Sequence, residues 1–116
     1  MEIRQIQQEH YVTLSPVGDL DAHSSVHLDE KIQKLVEAGK VMIHVDFSEV
    51  TYISSAGLGV FISYLDEIAS QGGQLVLSQL SDNIYDVFSI LGLNKLDHLI
   101  ILSPEEKEVA TYFVQK

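Results

Sequence analysis

The chain has 116 residues, 46% of them apolar, which is enough for one hydrophobic core and leads to the expectation of one domain over residues 1–116. It has no cysteine, so disulfides and thiolate metal or redox chemistry are excluded. A formal net charge of -10 opposes binding to nucleic-acid phosphates and anionic lipid; it favours solubility and is compatible with a basic protein partner.

Ile3 and Ile6, then Tyr11 to Leu14, suggest two short strands joined by a polar turn, with Pro16 and Gly18 ending the second. No apolar run approaches the roughly 18 residues of a membrane span. The polar, alternating start MEIRQIQQEHY is not a signal peptide, so a soluble, cytoplasmic protein is expected. After the loop GDLDAHSS, Leu28, Ile32, Leu35 and Val36 follow helical spacing from Val26, with Gly39 as the capping glycine. Val41 to Phe47 is a nearly continuous apolar run, as in a strand buried on both faces. A second helix is expected from about Ser55, with Leu58, Phe61, Ile62, Leu65, Ile68 and Ala69 inward and Gly72-Gly73 at its end. QLVLSQL reads as a strand. The next helix has Ser81 or Asp82 as its cap, and Ile84, Val87, Phe88 and Leu91 facing inward. HLIIL reads as the last strand. Ser103, Pro104 and Glu106 then have the spacing of a capped short helix. Alternating strands and helices imply an α/β fold: one mixed sheet, mostly parallel, with an N-terminal hairpin and about four helices.

Within YISSAGLGVF, Tyr52 to Phe61, two serines precede two glycines at a strand-to-helix junction. A phosphate-binding loop of the GxxxxGK[ST] type needs a lysine, and no Lys or Arg occurs between Lys40 and Lys95. A nucleophile elbow needs GxSxG, but Ile53 stands where the first glycine belongs. For a Ser/His/Asp triad, His44 lies in an apolar strand, as core histidines do, and His23 and His27 lie on the first loop and helix. His23 and His27 are also spaced i, i+4, but no third metal ligand has suitable spacing, so no metal site is expected. No enzyme activity and no cofactor are expected. Ser54 suits an N-cap accepting from the amides of Ala56 or Gly57. Ser55 is then the first helical residue, with its hydroxyl at the surface. A helix N-terminus favours added negative charge, so these serines either only cap the helix or include a phosphate acceptor.

DFSEVTYISSAGLGVF, residues 46–61, resembles the signature of the STAS family, specifically the anti-sigma factor antagonists (anti-anti-sigma factors) of bacteria. GDLDAHSS, residues 18–25, and QGGQLVLSQLSDNIYDVFSILGLNKL, residues 71–96, resemble two further family segments in the right order. The resemblance implies a STAS fold and a phosphorylated serine at Ser55. Ser54 stands where the family often has Asp and is a second candidate acceptor. The resemblance also implies a partner-binding surface that includes Asp21, Asp46, Ser54, Ser55, Ala56, Gly57, Leu58 and Gly59. The implied function is a partner switch in transcription regulation. The unphosphorylated domain binds an anti-sigma factor serine kinase, phosphorylation releases it, and a PP2C-type phosphatase restores it. Alternatives are a STAS module in a stressosome-like or chemotaxis-linked scaffold, and a small-ligand or lipid-transport-associated STAS subunit.

Overall fold

The computed structural model describes residues 1–103, 105–106 and 108–113. Strands β1 (Glu2–Gln7) and β2 (Val12–Leu20) form an antiparallel hairpin with Ile3 opposite Pro16. Then follow α1 (Ser25–Glu37), β3 (Met42–Asp46), β4 (Val50–Ile53), α2 (Ser55–Ser63), α3 (Leu65–Ser70), β5 (Gln74–Ser78), α4 (Asp82–Ile90) and β6 (Leu99–Ile101). The six-stranded sheet has the order β1-β2-β3-β5-β6, and β4 is paired to β2. All pairs except the hairpin are parallel, so the mixed, mostly parallel sheet expected from the sequence is what forms.

Strand β2 does not end at Pro16 or Gly18. It serves two parallel partners in succession: Val12 to Leu14 pair with β3, and Gly18 to Leu20 pair with β4. Pro16, which has no N–H to donate, falls between those two ladders. Gly18 adopts φ +102 where the register shifts, so it marks a bulge within the strand rather than its end. Between β3 and β4 the chain jogs through a turn closed by Val50 N–H donating to Phe47 O at 2.9 Å. This makes β4 a strand additional to those read from the sequence. It is only four residues long, and its two central residues, Thr51 and Tyr52, are exposed, so it carries no apolar run.

The helices pack on one face of the sheet. Their buried residues form the main core with Leu14 and Leu20 of β2, Ile43 and Val45 of β3, and Leu75 and Leu77 of β5. Phe47, in the β3–β4 turn, lies 5.7 Å from the ring of Phe61 on α2 and 6.2 Å from that of Phe88 on α4, and so ties the turn to both helices. Helix α1 closes with Lys40 N–H on Leu35 O and Gly39 N–H on Val36 O, with Gly39 at φ +76. That pattern satisfies two of the free terminal carbonyls and needs a left-handed residue there.

Several inward assignments change. The expected second helix is interrupted at Tyr64, after Ser63 turns its hydroxyl back onto Val60 O at 2.9 Å. Val60 is buried, and Ile62 is exposed. On α4, Ile84 and Phe88 are buried, whereas Val87 and Leu91 are exposed. That helix connects β5 to the short edge strand β6, and it meets the core through Ile84 and Phe88, the latter against Phe47. No helix starts at Ser103 among the described residues. Pro104 lies outside them, Glu106 N–H closes a turn on Ser103 O, and a 3₁₀ turn forms at Ala110–Phe113. Phe113 joins a second apolar cluster with Val76 and Leu102, on the face of the sheet opposite the helices.

His44 is also on that opposite face. Thr13 Oγ1 lies 3.0 Å from its Nδ1, and Ser78 Oγ lies 2.6 Å from its Nε2. Burial pushes its pKa below the ordinary histidine value, and the smaller effect of Asp46 works in the other direction. A histidine held neutral in this way contributes stability above the unfolded-state pKa of about 6.5, and that contribution is lost as pH falls through that value towards the lowered folded-state pKa. Urea unfolding followed from pH 8 to pH 5 is expected to show this loss, and His44→Gln should flatten that part of the profile. An equally steep profile in the variant would remove His44 as its source.

Candidate functional site

Parallel pairing of β2 with β4 sets Leu20 opposite Ile53, and both strands then run into helices at the same edge of the sheet. At that edge the Leu20 carbonyl accepts twice from one residue: from Ser54 N–H at 2.9 Å and from Ser54 Oγ at 3.0 Å. Ser54 is extended (φ -93, ψ 173) and accepts from Gly57 N–H at 3.3 Å, while its carbonyl accepts from Leu58 N–H at 3.0 Å. It is therefore the N-cap of α2, half-buried, with its hydroxyl engaged both as donor and as acceptor. Ser55 opens the helix. It is exposed, and its hydroxyl makes no hydrogen bond among the described residues. The amides of Ser55 and Ala56 belong to the first turn, whose donors have no partner within the helix.

Asp21 follows Leu20 directly, beside Ser54 in the register of the parallel pair. Its Oδ1 accepts from Ser24 N–H at 2.9 Å, His23 N–H at 3.0 Å and Ser24 Oγ at 3.1 Å. Hydrogen bonds from Ser24, backbone first and then side chain, hold its pKa below the usual carboxylate value. Asp21 N–H in turn donates to Ser24 Oγ at 3.0 Å, and its carbonyl accepts from Ser25 N–H at 2.9 Å. The carboxylate thus fixes the loop that leads into α1. Asp46 is elsewhere. It accepts from Ser48 N–H at 2.9 Å and lines the face opposite the helices together with His44. The β3–β4 turn and strand β4 lie between it and Ser55 in the chain.

The two glycines of the first turns differ. A Cβ on buried Gly57 would stand 2.9 Å from Ile53 Cγ1, 3.1 Å from Leu20 O and 3.2 Å from Leu20 Cβ, so the residue lets α2 sit directly on the strand ends. A Cβ on exposed Gly59 would meet nothing within 4 Å. Leu58 is buried in the core and anchors the helix. Of the residues singled out in the sequence, Ser55, Ala56 and Gly59 face outward together. Ile62 and Ser63 extend their stripe at helical spacing, and Tyr52 stands 53% exposed on the strand just before it. Ile62 and Tyr52 were not expected at this surface. The signal available for them was that SAGLGVFIS contains no charged residue in a chain that is 21% charged.

Among the described residues, no group of three or more His, Asp or Glu could hold a metal ion, and the rings of His23 and His27 lie 6.4 Å apart, edge to face. No described helix is long and apolar enough to cross a membrane.

Residues 2–108 match the model of the STAS domain. The anti-sigma-B factor antagonist of Bacillus subtilis (strain 168) is 33% identical over 90 residues, which cover 78% of this chain and 82% of that protein. The structure of the anti-sigma factor antagonist SpoIIAA in its unphosphorylated form superposes with a TM-score of 0.72 at 18% identity, covering 96% of this chain and 94% of that one. The structure of the Bacillus cell fate determinant SpoIIAA in the phosphorylated form gives a TM-score of 0.68 at 21% identity, covering 90% and 94%. These two similarities concern the fold. With the family model spanning nearly the whole chain and the signature lying at the Ser54–Ser55 junction, this protein belongs to the STAS domain family.

Proposed function

We propose that this protein is an anti-sigma factor antagonist that works as a phosphorylation-controlled partner switch, with Ser55 as the acceptor. The observation that carries this reading is the contrast between the two serines. Ser54 Oγ is committed to Leu20 O and Gly57 N–H, whereas Ser55 Oγ is exposed and unbonded among the described residues. A bound anti-sigma factor kinase would transfer the γ-phosphoryl group of ATP to Ser55 Oγ. The bond from Oγ to phosphorus forms as the bond to ADP breaks, and the serine proton passes to a base of the kinase. A PP2C-type phosphatase would restore the hydroxyl by hydrolysis. The setting is the cytoplasm, which holds the ATP and the transcription machinery.

Phosphorylation adds a charge of about -1.5 to -2. In the free protein, the first-turn amides and the positive end of α2 tolerate it. Arg4 is engaged by Glu2 and Glu49. Lys40 and Lys95 follow α1 and precede β6, at the opposite edge of the sheet, and Lys31 and Lys34 line a hollow with Met1 and Ile3. The phosphate therefore stays at the surface. Against a partner that has closed over Ser55, Ala56 and Gly59 it is desolvated and unpaired, and that difference between the free and bound states drives release.

Incubation with ATP and the cognate anti-sigma factor kinase, followed by mass spectrometry, is expected to place one phosphate on Ser55, and Ser55→Ala should abolish it. Modification of Ser54 instead would overturn the assignment. Ser55→Asp should weaken kinase binding by roughly tenfold or more with an unchanged far-UV spectrum; wild-type affinity would exclude charge as the release mechanism. The glycines test the surface separately. Gly57→Ala is expected to lower stability by about 1–3 kcal/mol, because the added methyl pushes against the Ile53 side chain and the Leu20 carbonyl. Gly59→Ala should raise stability by up to about 1 kcal/mol through helix propensity, yet weaken partner binding. Unimpaired binding in a stabilised Gly59→Ala variant would mean that the partner does not approach this turn closely.

A further inference from the structure

We infer that the outer edge of β1, together with the lysines of α1 beside it, takes up an extended acidic segment of a partner protein, which adds to the sheet as a further strand. β1 ends the strand order and has a neighbour on one side only. Which of its backbone groups are free follows from the hairpin. Gln8 N–H donates to Tyr11 O at 2.8 Å, and the register then pairs Ile6 with Thr13, Arg4 with Ser15 and Glu2 with Val17. Hydrogen-bonded pairs alternate along an antiparallel ladder, so the even-numbered residues bond to β2. The N–H and C=O groups of Ile3, Gln5 and Gln7 point away from the sheet. Pro16, opposite Ile3, fits this pattern, because such a position needs no donor towards β1. Little that usually guards an edge interrupts this one: EIRQIQ has no proline, and its register runs unbroken over all 6 residues. Its two charges, Glu2 and Arg4, are paired with each other, and Arg4 also with Glu49.

The two faces of the edge differ. Ile3 packs towards the core, and with Met1, His27, Glu30, Lys31 and Lys34 it lines a hollow of about 210 Å³ between β1 and α1. By the alternation of side chains, Gln5 and Gln7 share that face, and Ile6, an exposed apolar residue, lies on the other. Lys31 and Lys34 form no ion pair among the described residues, in a chain of net charge -10. Among the described residues that line the hollow, Glu30 is the one carboxylate, against two lysines. Residues three apart on a helix have Cβ atoms about 5–6 Å apart, and alternate residues of a strand recur about every 7 Å. Two acids at alternate positions of an added strand therefore match the two lysines. The residues between those acids fall on the other face, beside Ile6, so apolar side chains suit them. At physiological ionic strength exposed charges are screened beyond about 8 Å. The segment thus meets these lysines more strongly than the acids elsewhere on the surface. A second copy of this chain is a poorer occupant. Its own β1 would bring Ile3, Gln5 and Gln7 to the helix side, with no carboxylate among them, and would set two pairs of lysines near one another. The inference rests on β1 and α1 and is independent of Ser55.

The test titrates the full, isotope-labelled chain with a short acetylated and amidated peptide that alternates valine with glutamate, followed through amide chemical shifts. Binding is expected with shifts centred on Ile3, Gln5 and Gln7, and with an affinity that falls roughly threefold or more on adding about 0.5 M salt. Lys31→Glu together with Lys34→Glu should weaken it roughly tenfold or more and transfer the preference to a valine–lysine peptide. Gln5→Pro removes an outward donor and leaves the bonds to β2 in place, so it should abolish binding with an unchanged far-UV spectrum. Equal affinity of the wild type for the two peptides, or binding that survives the double lysine reversal, would overturn the acidic occupant. Binding that survives Gln5→Pro would overturn strand addition, and no shift at millimolar peptide would overturn both. Sedimentation of the chain alone tests the competing occupant: a dimer that Gln5→Pro converts to a monomer would mean that a second copy takes the edge, which also overturns the inference.

Discussion

One carbonyl organises the end of the molecule at which β4 meets α2. Leu20 O receives both the backbone N–H and the hydroxyl of Ser54, filling the two lone pairs it can offer. Each such bond is worth only about 1 kcal/mol net, but leaving a half-buried acceptor or donor unmet costs more than a made bond gains. The arrangement is therefore self-enforcing. It aligns the ends of β2 and β4, sets the direction in which α2 leaves the sheet, and engages the Ser54 hydroxyl as both donor and acceptor. Ser55, one residue on, inherits a fixed position without any bond of its own. Gly57 follows from the same constraint. Its missing Cβ is what lets the helix approach Leu20 closely enough for the two bonds to form.

That carbonyl is where it is because β2 is long. Nine residues allow it to pair first with β3 and then with β4, with a proline and a bulged glycine between the two ladders. The jog between β3 and β4 turns Phe47 into the core against Phe61 and Phe88, so the interruption of the strand is also the point where α2 and α4 are tied together. Two faces result, with different characters. The helix face is a continuous apolar core. The opposite face has hydroxyls bridged by His44 in its middle and an apolar patch at one side, under the C-terminal segment.

The parts of this that were legible in the sequence are those with strong local patterns. The amphipathic stripe of α1, its glycine cap, the apolar runs of β3 and β5, and the cap at Ser81 appear where their spacing puts them. The role of Ser54 as cap was readable from its chemistry, whereas its position alone left the role of Ser55 open, and only the family resemblance singled it out as an acceptor. What could not be read depends on neighbours remote in sequence. Thr51 and Tyr52 make a strand only because β2 offers a free edge there. Pro16 is tolerated because no ladder needs its amide. Ile62 and Leu91 match a helical period but face solvent, since no element among the described residues covers them. Asp46 opens the signature segment but is turned to the other face, because side chains alternate along β3 and Ile43 and Val45 take the helix side.

The composition of α2 is best understood through electrostatics. Acidic residues in a first helical turn stabilise it by about 0.3–1 kcal/mol each. α3 has Asp66 and Glu67 there, and α4 has Asp82. α2 has no acidic residue in its first turn, no basic residue in its last, and two glycines in nine positions, in a chain with an excess of carboxylates. On helix stability alone these choices are poor. They make sense if the charge at this N-terminus has to be conditional. A permanent carboxylate would present a partner with the same sign of charge whether or not a phosphate was attached, and would shrink the difference between the two states. In the proposed switch, a neutral, small-residue turn would leave that difference to Ser55. The half-buried cap, the packing glycine at 57 and the open glycine at 59 then act together: the first two hold the turn rigidly on the sheet, and the third keeps its outer surface low.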